Sequence, residues 1–256
     1  MIAQVVFNLP LERAFDYLVP PDWDSLIQPG MRVVAPFGRR RLVGYVVQTA
    51  ARSAVKELKT LLRCIDRASM LNADQWKLAH WMAGYYGCSL GEALASLVPT
   101  ALRIREDVES AEPLVQRSMA QGPVLTTEQQ RAFETLAAAT TAKRVAAFLL
   151  HGVTGSGKTE LYLRLISEVL RQGRSAICLV PEIMLTPQAI DRFRQRFGEA
   201  AAIWHSRLTA RRRALTWQDL SSGRCRIVVG TRSAVFAPLA HLGLIVLDEE
   251  HDPSYK

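Results

Sequence analysis

The sequence predicts an α/β protein in two parts: a small β-rich domain over residues 1–105, then a lobe over residues 125–256 whose mainly parallel sheet is flanked by helices. Short apolar runs between Pro and Gly turns fill the first hundred residues, the pattern of a small sheet or barrel. From residue 125, apolar runs alternate with longer amphipathic stretches, the pattern of β-α units on a parallel sheet. Between the two, Arg103 to Val124 is polar and weakly periodic and closes with Gly122-Pro123, so residues 106–124 read as a linker.

Each element has a local cause. Ile2–Phe7 is a short apolar run, and Phe15–Val19 alternates before Pro20-Pro21 stops it. Pro29-Gly30 is a turn that leads into Met31–Ala35; Pro36-Phe37-Gly38 is expected to break that strand. Arg39-Arg40-Arg41 then forms a hairpin turn before the strand Leu42–Gln48. Asn72 caps a helix that runs on helical spacing through Trp76, Ala79, Met82 and Tyr86 to Gly87. In the second part, Thr126 or Thr127 caps a helix to about Ala139. The expected order is then strand Ala146–His151, helix Lys158–Arg171, strand Ser175–Val180 and a helix from Thr186 to Phe197. Strand Ala201–Trp204, helix Thr209–Leu220, strand Arg226–Gly230 and strand Leu244–Asp248 complete it. Near-continuous apolar strands such as Leu244–Leu247 fit burial on both faces.

Composition narrows the function classes. Lys+Arg number 32 against 24 Asp+Glu, a net charge of +8, which suits an acidic partner such as nucleic acid or simply a solvated basic surface. No apolar run is long enough to span a bilayer, and the N-terminus lacks the basic region and cleavage site of a signal peptide. Cys64, Cys88, Cys178 and Cys225 lack zinc-ligand spacing and read as free, partly buried thiols, so a cytoplasmic protein without a membrane partner is expected.

Two segments carry chemistry. Gly152-Val153-Thr154-Gly155-Ser156-Gly157-Lys158-Thr159 matches the G-x-x-x-x-G-K-[ST] loop, with a strand expected before it and a helix after it. Its glycines let backbone N–H groups turn around phosphate oxygens, Lys158 reaches the β- and γ-phosphates of ATP, and Thr159 offers its hydroxyl to Mg²⁺. Leu244–Leu247 delivers Asp248 and Glu249 at a strand's carboxyl end, where ligands sit in open α/β sheets. Asp248 is the expected Mg²⁺ partner and Glu249 the base or water-orienting group, which makes Lys158, Asp248 and Glu249 the catalytic candidates.

Asp248-Glu249-Glu250-His251 is a DExH-type box and resembles that of superfamily 2 helicases. Leu179–Gln188, Trp204-His205-Ser206, Val229–Phe236, Asp248–Lys256 and the start Leu9–Leu18 narrow the resemblance to the PriA (primosomal protein N′) family of bacterial replication-restart DNA helicases. The resemblance implies a β-rich domain that binds DNA 3′ ends, followed by the first RecA-like helicase lobe. It implies 3′→5′ movement on single-stranded DNA, recognition of forks, and primosome proteins and single-stranded DNA-binding protein as partners. Phe15, Asp16, Tyr17, Gly38 and Lys59 match the family's 3′-end pocket. Thr186, Gln188, Thr231 and Arg232 fall in motifs that touch the DNA backbone, and Gln129 in the adenine-side glutamine region. Physically, an aromatic ring can stack on a terminal base and a carboxylate can accept from a 3′ hydroxyl. Read from strand spacing alone, Phe15 and Tyr17 are instead core residues on one face. The basic run Arg192–Arg213 suits a phosphate backbone or a solvated helix face equally. His205 reads as a structural or DNA-side residue.

Three departures from the family are expected. No winged-helix domain fits in residues 106–124, and the chain reads as truncated after its DEEH box. The second lobe, with its arginine finger and its zinc-binding cysteines, is absent with it. An ATP-dependent helicase of replication restart is therefore one reading. A fork- and ATP-binding fragment without turnover is the other, and a metabolic P-loop kinase fits the box and the charge poorly.

Overall fold

In the computed structural model the described residues are 1–98, 122–142 and 145–255. The chain forms two compact units, Met1–Val108 and Glu109–Lys256. The expected linker lies outside the described residues except at 122–124.

The first unit contains β1 (Ile2–Phe7), β2 (Phe15–Leu18), β3 (Arg32–Phe37), β4 (Arg40–Ala50), β5 (Lys59–Thr60) and β6 (Arg63–Cys64), ordered β5-β2-β1-β4-β3-β6. The two ends of that order are neighbours in sequence. Leu61 N–H donates to Leu18 O at 3.0 Å and Leu62 N–H to Val34 O at 2.9 Å, so residues 59–64 close the sheet into a barrel. Ala3, Val5, Phe7, Tyr17, Val33, Ala35 and Val46 fill it. Two helices, α1 (Ala73–Tyr86) and α2 (Leu90–Leu97), follow. Asn72 with Gln75, and Ser89 with Glu92, form reciprocal capping boxes. Gly91 of α2 lies so close to β1 that a Cβ there would sit 1.7 Å from Phe7 O. Trp81, Tyr85 and Tyr86 lie exposed at the end of α1, on helical spacing but outside the core.

The sequence reading needs two corrections here. Pro36-Phe37 does not break β3: β6 pairs with β3 only at Val33 and Val34, so Pro36 stands on an edge where its missing N–H costs no ladder bond. The hairpin turn is Gly38-Arg39, with Gly38 at φ +58°, and Arg40 and Arg41 already belong to β4.

The second unit contains α3 (Thr127–Thr141), α4 (Lys158–Arg171), β7 (Ser175–Leu179), α5 (Pro187–Phe197), β8 (Ala201–Trp204), α6 (Ala210–Ser221), β9 (Ile227–Gly230) and β10 (Leu242–Leu247). Its strands are ordered β10-β7-β9-β8 and all pair in parallel. Thr126, Thr186 and Thr209 cap α3, α5 and α6 through their side-chain oxygens. Tyr162, Ile166, Cys178, Phe193, Phe197, Ile227 and Val229 form the core. The expected strand Ala146–His151 is absent: the segment makes no ladder bonds, and Phe148 and Leu149 are exposed. An apolar run supplies β propensity, but a strand exists only where a neighbour completes its hydrogen bonds. Among the described residues β10 is therefore an edge strand, with Ile245 and Leu247 half exposed.

Candidate nucleotide site and nucleic-acid interface

The loop Gly152–Thr159 runs directly into α4, whose first residue is Lys158. Gly155 (φ +80°) and Gly157 (φ +84°) hold left-handed conformations that only glycine adopts without strain. Lys158 Nζ donates to Gly152 O at 2.6 Å and to Val153 O at 3.3 Å, so its ammonium sits inside the curve of the loop. Gln129 is fixed at both ends: Oε1 accepts from Thr126 N–H at 2.8 Å, and Nε2 donates to Ser156 O at 2.9 Å. The glutamine thus braces the loop backbone from α3.

Asp248 and Glu249 emerge at the end of β10 and line the same cleft as Val153–Glu160. The cleft is about 640 Å³, and Met184, Arg192, Gln195 and Arg196 form its other wall. Three hydrogen bonds fix Asp248. Its N–H donates to Leu179 O at 2.9 Å, Tyr162 Oη donates to Oδ2 at 3.1 Å, and Tyr255 Oη donates to its main-chain oxygen at 3.0 Å. Burial and the nearby Asp248 carboxylate push both phenols well above the usual tyrosine range; for Tyr162 a hydrogen bond from Thr159 partly offsets the rise. Glu249 holds φ +50°, an unusual backbone state for a non-glycine residue. His251 lies 3.7 Å from both Glu249 and Glu250 carboxylates.

Sequence reasoning missed the arginine wall, treating Arg192 and Arg196 only as part of a basic run. Their i,i+4 spacing puts them on one face of α5, which was the available signal. Arg196 lies 3.6 Å from Glu160, which also accepts from Arg164 Nε at 2.7 Å. A second cleft of about 750 Å³ borders this network, lined by Thr126, Thr127, Gln130, Arg131, Arg164 and Arg196.

Parallel pairing brings the ends of β7, β8, β9 and β10 to one side of the sheet. The loops there are stitched together: Thr231 N–H donates to Trp204 O at 3.2 Å, and Ser206 Oγ to Glu182 Oε1 at 2.7 Å. Thr186 spends its side chain on capping α5, accepting from Ala189 N–H. Gln188 in the first turn of α5 and Arg232 after β9 are exposed. His205 follows β8 and is half-buried.

In the first unit the 3′-end candidates divide between two faces of β2. Phe15 and Tyr17 face the core side, and Tyr17 is 4% exposed with its hydroxyl donating to Pro36 O at 3.0 Å. Its ring is therefore a wall rather than a free stacking surface. Phe15 packs against Phe7 and Phe37, and the Arg13 guanidinium lies 4.8 Å from its ring centre. Lys59 Nζ reaches Gly38 O at 3.5 Å, which brings these two candidates together at the hairpin tip. Asp16 is on the other face, where Gln4 Nε2 donates to Oδ1 at 3.2 Å and Ser53 Oγ donates to Oδ2. The described residues contain no cluster of three His, Cys, Asp or Glu side chains able to hold a metal ion, and no helix among them is long and apolar enough to cross a membrane.

A parallel sheet that sets a phosphate loop beside an acidic strand end is the arrangement of a P-loop nucleotide-binding lobe. Residues 126–256 match the family described as DEAD/DEAH box helicase, and the chain belongs to that family. Residues 4–99 match the 3′DNA-binding domain (3′BD) of PriA. The chain is 40% identical to the replication restart protein PriA of Treponema pallidum over 259 residues, 99% of this chain and 39% of that protein. It is 32% identical to PriA of Haemophilus influenzae over 329 residues, 100% of this chain and 45% of that protein. With PriA of Bacillus subtilis it shares 51% identity over 132 residues, 52% of this chain and 16% of that protein. The chain thus spans less than half the length of these relatives.

Proposed function

We propose that the chain is the DNA-end-binding and first motor portion of an ATP-dependent 3′→5′ DNA helicase that acts in replication restart. The observation that carries this reading is the single cleft lined by Lys158, Thr159, Asp248 and Glu249, in a chain whose N-terminal residues match a 3′DNA-binding domain.

The residues present fit a nucleotide and a divalent cation. The glycine loop offers N–H groups and an ammonium to phosphate oxygens, and Thr159 and Asp248 offer two hard oxygens in the same cleft. ATP with Mg²⁺, when bound, supplies the phosphoryl group and neutralises its developing charge. With ATP and Mg²⁺ bound, Lys158 would leave its carbonyl partners to hold phosphate oxygens, Glu249 would orient or deprotonate the attacking water, and Gln129, the adenine-side candidate, would keep the loop in shape through Ser156. The exposed Gln188 and Arg232 then hold a DNA backbone against the loops at the strand ends, with Thr186 and Thr231 alongside.

In the first unit Asp16 accepts from a terminal 3′ hydroxyl. Its carboxylate has about four lone-pair sites, and Gln4 and Ser53 occupy only two. Gly38 and Lys59 meet at the hairpin, and Phe15 and Tyr17, on the core face of β2 behind Asp16, back the strand that carries it. The domain bounds 1–105 and 125–256, with a linker in place of a winged-helix domain, are part of the same proposal. So are a cytoplasmic location and the primosome and single-stranded DNA-binding partners expected of the family.

For this polypeptide alone a second reading has support: the described residues contain one motor lobe, and P-loop motors use an added arginine to stabilise transition-state charge. Purified chain should bind primed forks and ATP yet show negligible DNA-stimulated hydrolysis. Strong DNA-stimulated turnover abolished by Lys158→Ala would show that the single lobe is a complete ATPase. Absence of both fork binding and ATP binding would overturn the proposal itself.

A further inference from the structure

Tyr162 belongs to neither the phosphate loop nor the acidic strand end, yet from the helix that follows the one its side chain reaches the other. It lies one turn into α4 after Lys158-Thr159 and is buried, with its ring stacked on Phe193 at 6.4 Å and 16°. Its hydroxyl donates to Asp248 Oδ2 at 3.1 Å, one turn along α4 from Thr159. A phenol in an apolar core needs a polar partner. The partner found here is Asp248, a side chain that the proposed function assigns to the cation. Tyr255 completes the restraint by binding the main-chain oxygen of Asp248 at 3.0 Å. One phenol takes one lone pair of the carboxylate and leaves the others open to a ligand.

We infer that Tyr162 is a positioning residue for the divalent cation, holding the Asp248 carboxylate against rotation. The inference rests on the nucleotide reading above. Groups that orient a metal ligand from outside its coordination shell typically alter metal affinity by roughly 10- to 100-fold.

The test uses the full 256-residue chain and a fluorescent ATP analogue titrated with Mg²⁺. Tyr162→Phe keeps the ring on Phe193 and removes only the hydroxyl. The variant should need roughly tenfold more Mg²⁺ at half-saturation, with analogue binding in EDTA and the melting temperature unchanged. In an Asp248→Asn background Tyr162→Phe should add nothing, because the hydroxyl acts through that carboxylate. An unchanged Mg²⁺ midpoint in Tyr162→Phe, or an equal shift in the Asp248→Asn background, overturns the inference while leaving the nucleotide site in place. If the unaltered chain binds the analogue without any response to Mg²⁺ or to Asp248→Asn, the assignment of Thr159 and Asp248 to a cation fails and this inference falls with it.

Discussion

Arg32 and Asp66 form a fully buried ion pair that joins β3 to the segment after β6. The Arg32 backbone N–H and Nε both donate to Asp66 Oδ2, at 2.8 and 2.9 Å, and Nη2 donates to Oδ1 at 2.6 Å; both side chains are 0% exposed. Removing the carboxylate takes away all three of these bonds from a charge that stays buried. Asp66→Ala should cost about 3–5 kcal/mol in the first unit, read as a lower urea midpoint. A loss below about 1 kcal/mol would show that the guanidinium finds other partners.

Lys158→Ala should leave the melting temperature of the chain nearly unchanged, because the side chain is partly exposed and bonds only to loop carbonyls. Affinity for an ATP analogue should fall by roughly 10- to 100-fold, the worth of a hydrogen-bonded charge. Calorimetric titration reads both the affinity and the site number. Unchanged affinity would remove Lys158 from the phosphate site.

Asp16→Ala should weaken binding to a free 3′-hydroxyl DNA end by about tenfold and leave binding to a 3′-phosphate end almost unaltered. Fluorescence anisotropy on paired oligonucleotides separates the two. Equal losses would mean that Asp16 only ties Gln4 and Ser53 to β2.

Fork binding should weaken linearly in log affinity against log salt. Arg39, Arg40 and Arg41 are exposed at the hairpin, and Arg39→Ala should lower the slope by about one. A salt-independent affinity would take the basic tracts out of the interface.

Burial pushes the Cys225 thiol up to about 11 from an ordinary value of 9.0, with Asp219 adding to the rise. The unfolded chain therefore loses this proton first as pH rises. The associated stability is fully present below pH 9 and is lost between about pH 9 and 11. The urea midpoint should fall across that window, and Cys225→Ala should flatten the fall. An equal slope in the variant would assign the alkaline loss to other groups.

The second unit was legible where signals were local. The glycine loop placed the start of α4 at Lys158, Ala201–Trp204 was found to the residue, and the helices expected from Thr186 and Thr209 begin one residue later, with those threonines as their caps. What stayed hidden depended on distant partners. Ala146–His151 has strand composition but no ladder, and the two-residue strands β5 and β6 exist only because β2 and β3 receive them. α2 was overlooked despite Ser89 and Glu92 at capping-box spacing, because Gly91 in its first turn argues against a helix until Phe7 is seen beside it. At the site, the loop and the Asp248 strand end were readable as motifs. The division of Phe15 and Asp16 between faces follows from strand alternation, and Tyr162 has no motif to announce it.

The seal made by residues 59–64 has a mechanical meaning. Leu61 and Leu62 fasten the two ends of one sheet with adjacent N–H groups, so one short stretch of chain holds both outer strands at once. Lifting that one stretch bares the backbone of β2 and β3 together, two templates for unwanted strand pairing at once. Opening of the first unit should accordingly be all-or-none, with Leu61 and Leu62 exchanging their amide protons only as fast as the whole barrel does.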